Sequence, residues 1–211
     1  MNHTLMNDFQ TIISSRRSIR NYDPSVKISR EEMEEILSKA TLAPSSTNMQ
    51  PWRFLVIESA EAKAVLAPLA SFNQRQVETS AAVIAVFGDK NNFANGEEIY
   101  SKSVELGYMP ADVKEMQMGK LKAYFENVPA AVMHDVVLID GGLVSMQLML
   151  AARAHGYDTN AIGGYDKSKI AEAFGMDKER YVPVMLISIG KAENAGYPSY
   201  RLPVQKVAEW K

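Results

Sequence analysis

The chain contains no cysteine, which removes disulfides, thiolate nucleophiles and cysteine-held zinc or iron–sulfur centres at once. Histidine is nearly as scarce. His3, His134 and His155 are the only three, and they lie too far apart in sequence to form a metal-binding pattern, so no metal site is expected. A dominant charge of one sign is also missing. With 23 Lys and Arg against 25 Asp and Glu, a net charge of -2 gives no broad basic field to hold a nucleic-acid backbone. The opening MNHTLMNDFQ lacks the basic-then-apolar layout of an export signal, and no apolar run reads as the roughly 20 residues needed to cross a bilayer. These absences lead to the expectation of a cytoplasmic protein with neither a membrane nor a nucleic-acid partner. Repeats, low-complexity tracts and Gly/Ser linkers are absent too. Residues 1–211 therefore read as one domain, long enough to bury a substantial core.

What is present is arranged in short apolar blocks. Phe9, Ile12 and Ile13 follow Asp8 at helical spacing, and Ser29 with Glu32 forms a capping-box pattern ahead of Met33, Ile36, Leu37 and Ala40. Turn formers take over from Pro44 to Pro51, which reads as a polar loop. FLVI just after Trp52, AAVIAVF at 81–87 and VPVMLISIG at 182–190 are strand candidates. Their near-continuous apolar character predicts strands covered on both faces. Mostly helical patterns separate the last two, with Pro110 at a helix start and Val113, Met116, Tyr124 and Phe125 beyond it. VVLIDGGLVSMQLMLAARAHG is apolar on nearly every side, which suits the centre of a fold or of an oligomer. Gly141 and Gly142 within it point to close helix approach or a kink, and Gly156 to a helix C-terminal cap. The tail from Tyr197 onward has no helical face, and such a tail is usually disordered unless it docks on something.

Three stretches could hold a ligand. In RRSIR, Arg16, Arg17 and Arg20 surround Ser18. Three guanidiniums in five positions repel one another, and the cluster becomes useful where an anion joins it. The competing reading is a solvated helix end whose dipole favours arginine. In APSSTNMQPW, Ser45, Ser46, Asn48 and Gln50 gather hydroxyls and amides in one segment, although an ordinary Ser/Asn turn has the same composition. In AIGGYD, residues 161–166, paired glycines expose backbone N–H groups and let a flat ligand approach, a pattern also common in plain turns. The chain has no Walker loop, no convincing G-x-G-x-x-G after a strand, no G-x-S-x-G elbow and no histidine in a nucleophile signature. An enzyme of this composition takes its reactive group from a cofactor.

Taken in order, RRSIRNYD, LAPSSTNMQPWRFLVI, FNQRQ, AIGGYD and YRLP resemble the nitroreductase family of flavin enzymes, over essentially the whole chain from about residue 9. The resemblance implies an α+β fold, with a mainly antiparallel central sheet flanked by helices, and an intertwined homodimer that binds FMN at its interface. By the same resemblance, Arg16, Arg17, Ser18 and Arg20 form a first flavin-binding segment on the phosphate and the pyrimidine side of the ring. Arg201 is a late phosphate-binding arginine. Pro44, Ser45, Ser46 and Asn48 match a loop that the partner subunit lays against the flavin. Asn73 and Gln76 match hydrogen-bonding positions on the isoalloxazine, and Ile162, Gly163 and Gly164 a backbone segment along the ring near N5. The segment from about 197 to 211 matches an arm that docks across the dimer. There are departures. Gln76 stands where similar proteins often carry Lys, Ser199 stands where close relatives often have Lys, and Gly163 replaces an acidic residue of some relatives.

The activity implied is ping-pong oxidation of NADH or NADPH. Hydride passes to flavin N5, the nicotinamide leaves, and a small electron-poor acceptor takes its place, such as a nitroaromatic, a quinone or free flavin. No side chain is assigned as a catalytic proton donor. Tyr124 and Phe125 suit either the pocket or the core. The alternatives on the same fold are a specialised flavin reductase, an enone reductase or a reductive dehalogenase, and, outside catalysis, a flavin-binding protein that does not react with nicotinamide.

Overall fold

In the computed structural model, which describes residues 8–211, the three apolar runs become β1 (Trp52–Ile57), β2 (Ala82–Asp89) and β4 (Tyr181–Gly190), and a short β3 (Asp158–Ile162) joins them. His3 lies outside the described residues. The strands form one antiparallel sheet in the order β1-β2-β4-β3. The helices are α1 (Phe9–Ser15), α2 (Arg30–Ala40), α3 (Ala60–Leu66), α4 (Gln74–Thr79), α5 (Gly96–Glu105), α6 (Ala111–Asn127), α7 (Ala130–Ala154) and α8 (Ile170–Ala173).

The near-continuous apolar character of β2 follows from its place between two helical layers. Ala82, Ile84 and Val86 pack in one cluster with Met33 and Ile36 of α2 and Val144 and Leu148 of α7. Val83, Ala85 and Phe87 point the other way, onto Leu66 of α3, Val77 of α4 and Ile170 of α8. Strand β3 does not show as an apolar run because Asp158, Thr159 and Asn160 are polar. It is made a strand by its neighbours, β4 on one side and Ser18 in a parallel bridge to Thr159 on the other. The Ile19 N–H donates to the Thr159 carbonyl at 3.1 Å, so the arginine-rich segment runs along the edge of the sheet.

Helix α7 crosses the sheet closely. Strand β4 bulges between Pro183 and Met185, the kind of irregularity that tolerates proline inside a strand. Gly141 faces the extra residue, where an added Cβ would lie 2.5 Å from Val184 Cγ2. Of the glycine pair, Gly141 thus provides the close approach, whereas a Cβ on Gly142 would meet open space. Gly141→Ala should destabilise the protein by about 1–3 kcal/mol, the usual cost of overpacking, measured as a lower urea midpoint. An unchanged midpoint would mean that α7 can lift off the bulge freely.

By length and composition α7 could cross a bilayer, contrary to the expectation from the apolar runs, but half of its apolar stretch is buried against the sheet. Ser29 caps α2 as its spacing predicts, accepting from the Glu32 N–H at 3.2 Å. The Glu32 carboxylate leaves the capping box to accept a hydrogen bond from the Tyr157 hydroxyl at 2.7 Å. Pro110 is the N-cap of α6. Phe125 is half-buried: it stacks on Phe93 with ring centroids 4.9 Å apart, packs against a small cluster of Met133, Val137 and Val182, and also lines a cavity of about 390 Å³ with Lys122 and Met133.

Candidate functional site

The arginine segment and the C-terminal tail meet although some 180 positions separate them in sequence. Arg16, Arg17 and Ser18 line one cavity of about 360 Å³ together with Ser199 and Arg201, with Met146 of α7 also at its wall. A chain brings three guanidiniums to one hollow only against their mutual repulsion, so the hollow suits an anion that accepts charged hydrogen bonds. Arg17 also serves the helix-end reading, for its guanidinium donates to the carbonyls of Ser14 at 2.7 Å and Arg16 at 2.9 Å. Arg16 and Arg201 make no ion pair with an acidic side chain among the described residues, which leaves their charge for a ligand. Arg20 is exposed and lines an adjoining hollow with Ser18, Asn21, Arg75 and Tyr197.

A second group forms where β3 ends. Gln76 Nε2 donates to Asn73 Oδ1 at 3.0 Å, and Asn73 Nδ2 donates to the Gly164 carbonyl at 2.9 Å. The short helix α4 and the turn after β3 are thereby tied together, with Gln76 buried at the base and Gly163 and Gly164 exposed. An added Cβ on Gly163 would meet nothing within 4 Å, so the backbone there presents an open shelf. Ile162 is buried beneath it. A cationic hollow, an amide pair and an open glycine shelf are the donor set that a phosphate and a flat polar ring require. The residues present therefore fit FMN.

The loop carrying Pro44, Ser45, Ser46 and Asn48 makes no hydrogen bond to either group among the described residues. It sits instead on α7 and α5. Asp140, buried in the middle of α7, takes the Ser46 N–H between its two carboxylate oxygens at 3.1 and 3.0 Å. Burial pushes the Asp140 carboxyl above its usual range, and the Ser46 N–H partly opposes that. On the far side, the Tyr100 hydroxyl donates to the Thr47 carbonyl at 3.3 Å, and Asn95 Nδ2 donates to the Met49 carbonyl at 2.9 Å. Asn95 Oδ1 in turn accepts from Arg53 at 3.2 Å, and Arg53 reaches the fully buried Asp89 at 3.3 Å. Burial alone would raise the Asp89 carboxyl, but hydrogen bonds from Arg180 and the Asn91 N–H, with the charge of Arg53, hold it below the usual range. Sequence reasoning missed Asp140, Tyr100 and Asn95. The visible signal was a single acid inside the apolar run VLIDGGLV.

Exposed apolar side chains gather at two further places. Val132, Ile139, Leu143 and Met146 form a stripe along the outer face of α7, and Ile139 is 64% exposed there. The tail beyond Tyr197 exposes Tyr200, Leu202, Val204, Val207 and Trp210.

Comparison with known proteins places these features in context. A family model described as the nitroreductase family matches residues 13–191. A Bacillus subtilis protein named "Putative NAD(P)H nitroreductase YdgI" is 71% identical over 97% of this chain and 98% of its own length. The CLA biosynthesis enone reductase of Lactiplantibacillus plantarum is 37% identical over 88% of this chain and 86% of its own. A protein from Exiguobacterium sibiricum, solved in complex with FMN, superposes with a TM-score of 0.96 at 64% identity, covering all of both chains.

Proposed function

The chain belongs to the nitroreductase family and is an FMN-dependent NAD(P)H oxidoreductase, and from that premise we propose a site in which each half comes from a different protomer of a homodimer. The observation that carries the phosphate-binding half of this reading is the hollow that one protomer builds from Arg16, Arg17, Ser18 and Arg201. Bound FMN supplies the redox centre, taking hydride from NADH or NADPH at N5 and passing reducing equivalents in a ping-pong cycle to an electron-poor acceptor such as a nitroaromatic or a quinone.

The residues do the rest. Arg16, Arg17 and Arg201 neutralise the phosphate, with Ser18 as a hydroxyl partner. Asn73 and Gln76 hold the shelf at a fixed height, so that Ile162, Gly163 and Gly164 offer backbone groups to the ring edge without a side chain in the acceptor's path. Arg20 places positive charge where the reduced ring gathers negative charge, which favours reduction. Pro44, Ser45, Ser46 and Asn48 close over the ring from the partner subunit.

Geometry supports that division of labour. Asp140, under the loop, and Met146, at the wall of the arginine hollow, are six positions apart on α7. They project in directions about 120° apart and about 9 Å along the axis, so loop and hollow occupy different sides of the helix. The apolar stripe on α7 and the exposed tail from about 197 to 211 supply surface for the second copy.

Purified protein loaded with FMN and freed of excess should keep the flavin absorbance bands and lose them under anaerobic NADH or NADPH. Retained bands that neither nucleotide bleaches would reduce the protein to a flavin binder. An enone is the second acceptor class, favoured by the 37% identical enone reductase, and relative kcat/KM values for nitroaromatic, quinone and enone acceptors decide between them.

A further inference from the structure

The loop at 44–50 is held in an unfavourable backbone conformation. Thr47, Asn48 and Gln50 all have positive φ, at 50°, 57° and 47°. Left-handed backbone costs a non-glycine residue on the order of 1–3 kcal/mol and persists only where surroundings over-determine it. For Thr47 the β-branch adds crowding, and Gln50 precedes Pro51, where extended backbone is preferred. The restraints on this loop are of two kinds. Within it, Ser45 Oγ accepts from the Gln50 N–H at 3.0 Å, and the carbonyls of Ser45 and Ser46 accept from the N–H groups of Asn48 and Met49. From outside, Met49 is buried, Tyr100 and Asn95 hold the carbonyls of Thr47, Met49 and Gln50 from α5 and the turn before it, and Asp140 holds the Ser46 N–H from α7.

Of these, Asp140 is the restraint whose presence stability does not explain. Asp140 is 4% exposed and its side chain receives one backbone donor for two oxygens. Burying a carboxylate costs desolvation that a single hydrogen-bond donor offsets only in part, so an apolar residue of like volume at this place should leave stability unchanged or raise it. It does fix one thing, the position of Ser46 at the start of the strained turn whose Ser46, Thr47 and Asn48 are all exposed.

We propose that Asp140 is a positioning residue for the oxidoreductase reaction: from inside α7 it holds the Ser46 backbone and so sets the 44–50 loop in the shape that meets the flavin of the partner subunit. This rests on the reading of that loop as flavin-facing. Asp140 touches neither cofactor nor acceptor and acts through the loop alone. A structural role and a positioning role make opposite demands on stability, which is how they are told apart.

The test compares wild type, Asp140→Leu and Asp140→Asn. In the apoprotein, amide hydrogen exchange across residues 45–50 should speed up in Asp140→Leu at an unchanged or higher Tm, and should stay slow in Asp140→Asn, which keeps an acceptor oxygen. With FMN bound, Asp140→Leu should lose on the order of 10- to 100-fold in kcat/KM for the acceptor, the scale of loss from a misplacement of about 1 Å, with Asp140→Asn restoring most of it. Slow exchange and kcat/KM within about twofold of wild type in a folded Asp140→Leu would overturn the proposal, as would activity lost only in step with a fallen Tm. Should Asp140→Leu not fold, Asp140→Asn decides: fast loop exchange in it sinks the idea and slow exchange upholds it. A wild type that neither keeps FMN nor bleaches would defeat the flavin reading instead, while the exchange data would still report on the anchor.

Discussion

Arg201→Ala should bind FMN about 10- to 150-fold more weakly than the wild type, the loss expected when a charged hydrogen bond worth about 1.5–3 kcal/mol is removed. Its melting temperature as apoprotein should not move. The two halves of that expectation come from the same observation. Arg201 is exposed, and among the described residues its side chain makes one hydrogen bond, to the carbonyl of its neighbour Tyr200 at 3.2 Å, so the fold does not depend on it. Yet it shares a hollow with Arg16, Arg17 and Ser18, where its charge meets no carboxylate among the described residues. Ser199 lines the same hollow, and Ser199→Lys should shift affinity the other way by adding a cation at the phosphate. Equilibrium titration of flavin fluorescence measures both. Equal affinity in Arg201→Ala and wild type would remove Arg201 from the site and leave the tail without a role in binding.

Ile139→Glu is expected to convert the protein to monomer at micromolar concentration and to strip it of flavin at the same time. Ile139 lies at the centre of the exposed apolar stripe on α7, so in a dimer built on that face the glutamate would have to lose its hydration without a partner. A buried, unpaired carboxylate costs several kcal/mol, enough to shift an association equilibrium by several orders of magnitude. In the protomer the same side chain is in solvent, so folding should be intact by circular dichroism. Sedimentation velocity gives the oligomeric state and absorbance the flavin content. A monomer that keeps FMN would show that one protomer holds the whole site, and an undisturbed dimer would place the interface elsewhere.

Much of this molecule is legible without coordinates. The both-sided apolar character of β2 and β4 announces a sheet buried between helices, because only a strand covered twice can afford no polar face. Asp8 and Ser29 mark helix starts because a side-chain oxygen there satisfies backbone N–H groups that a helix leaves orphaned. The arginine cluster is conspicuous because like charges are gathered only for a reason. The family pattern, read in order, supplied the cofactor.

Other features depend on neighbours distant in sequence and leave no local trace. Strand β3 is polar in three of its five positions and exists because β4 and the Ser18 segment offer it backbone partners on both sides. Gly141 and Gly142 look identical in sequence, and only the bulge at Val184 decides which one is needed. That Arg16 and Arg201 share a hollow, that Asn73 links Gln76 to Gly164, and that Asp140 grips the Ser46 loop are facts of tertiary contact. Periodicity and capping are local, fixed by residues within about one helical turn, so the sequence determined the elements that carry such a pattern, β3 not among them, and the chemical types available for binding. Close packing and hydrogen-bond closure join residues from about forty to nearly two hundred positions apart. The tertiary structure therefore decided which of those groups meet, and that the loop and the arginine hollow project from different sides of α7.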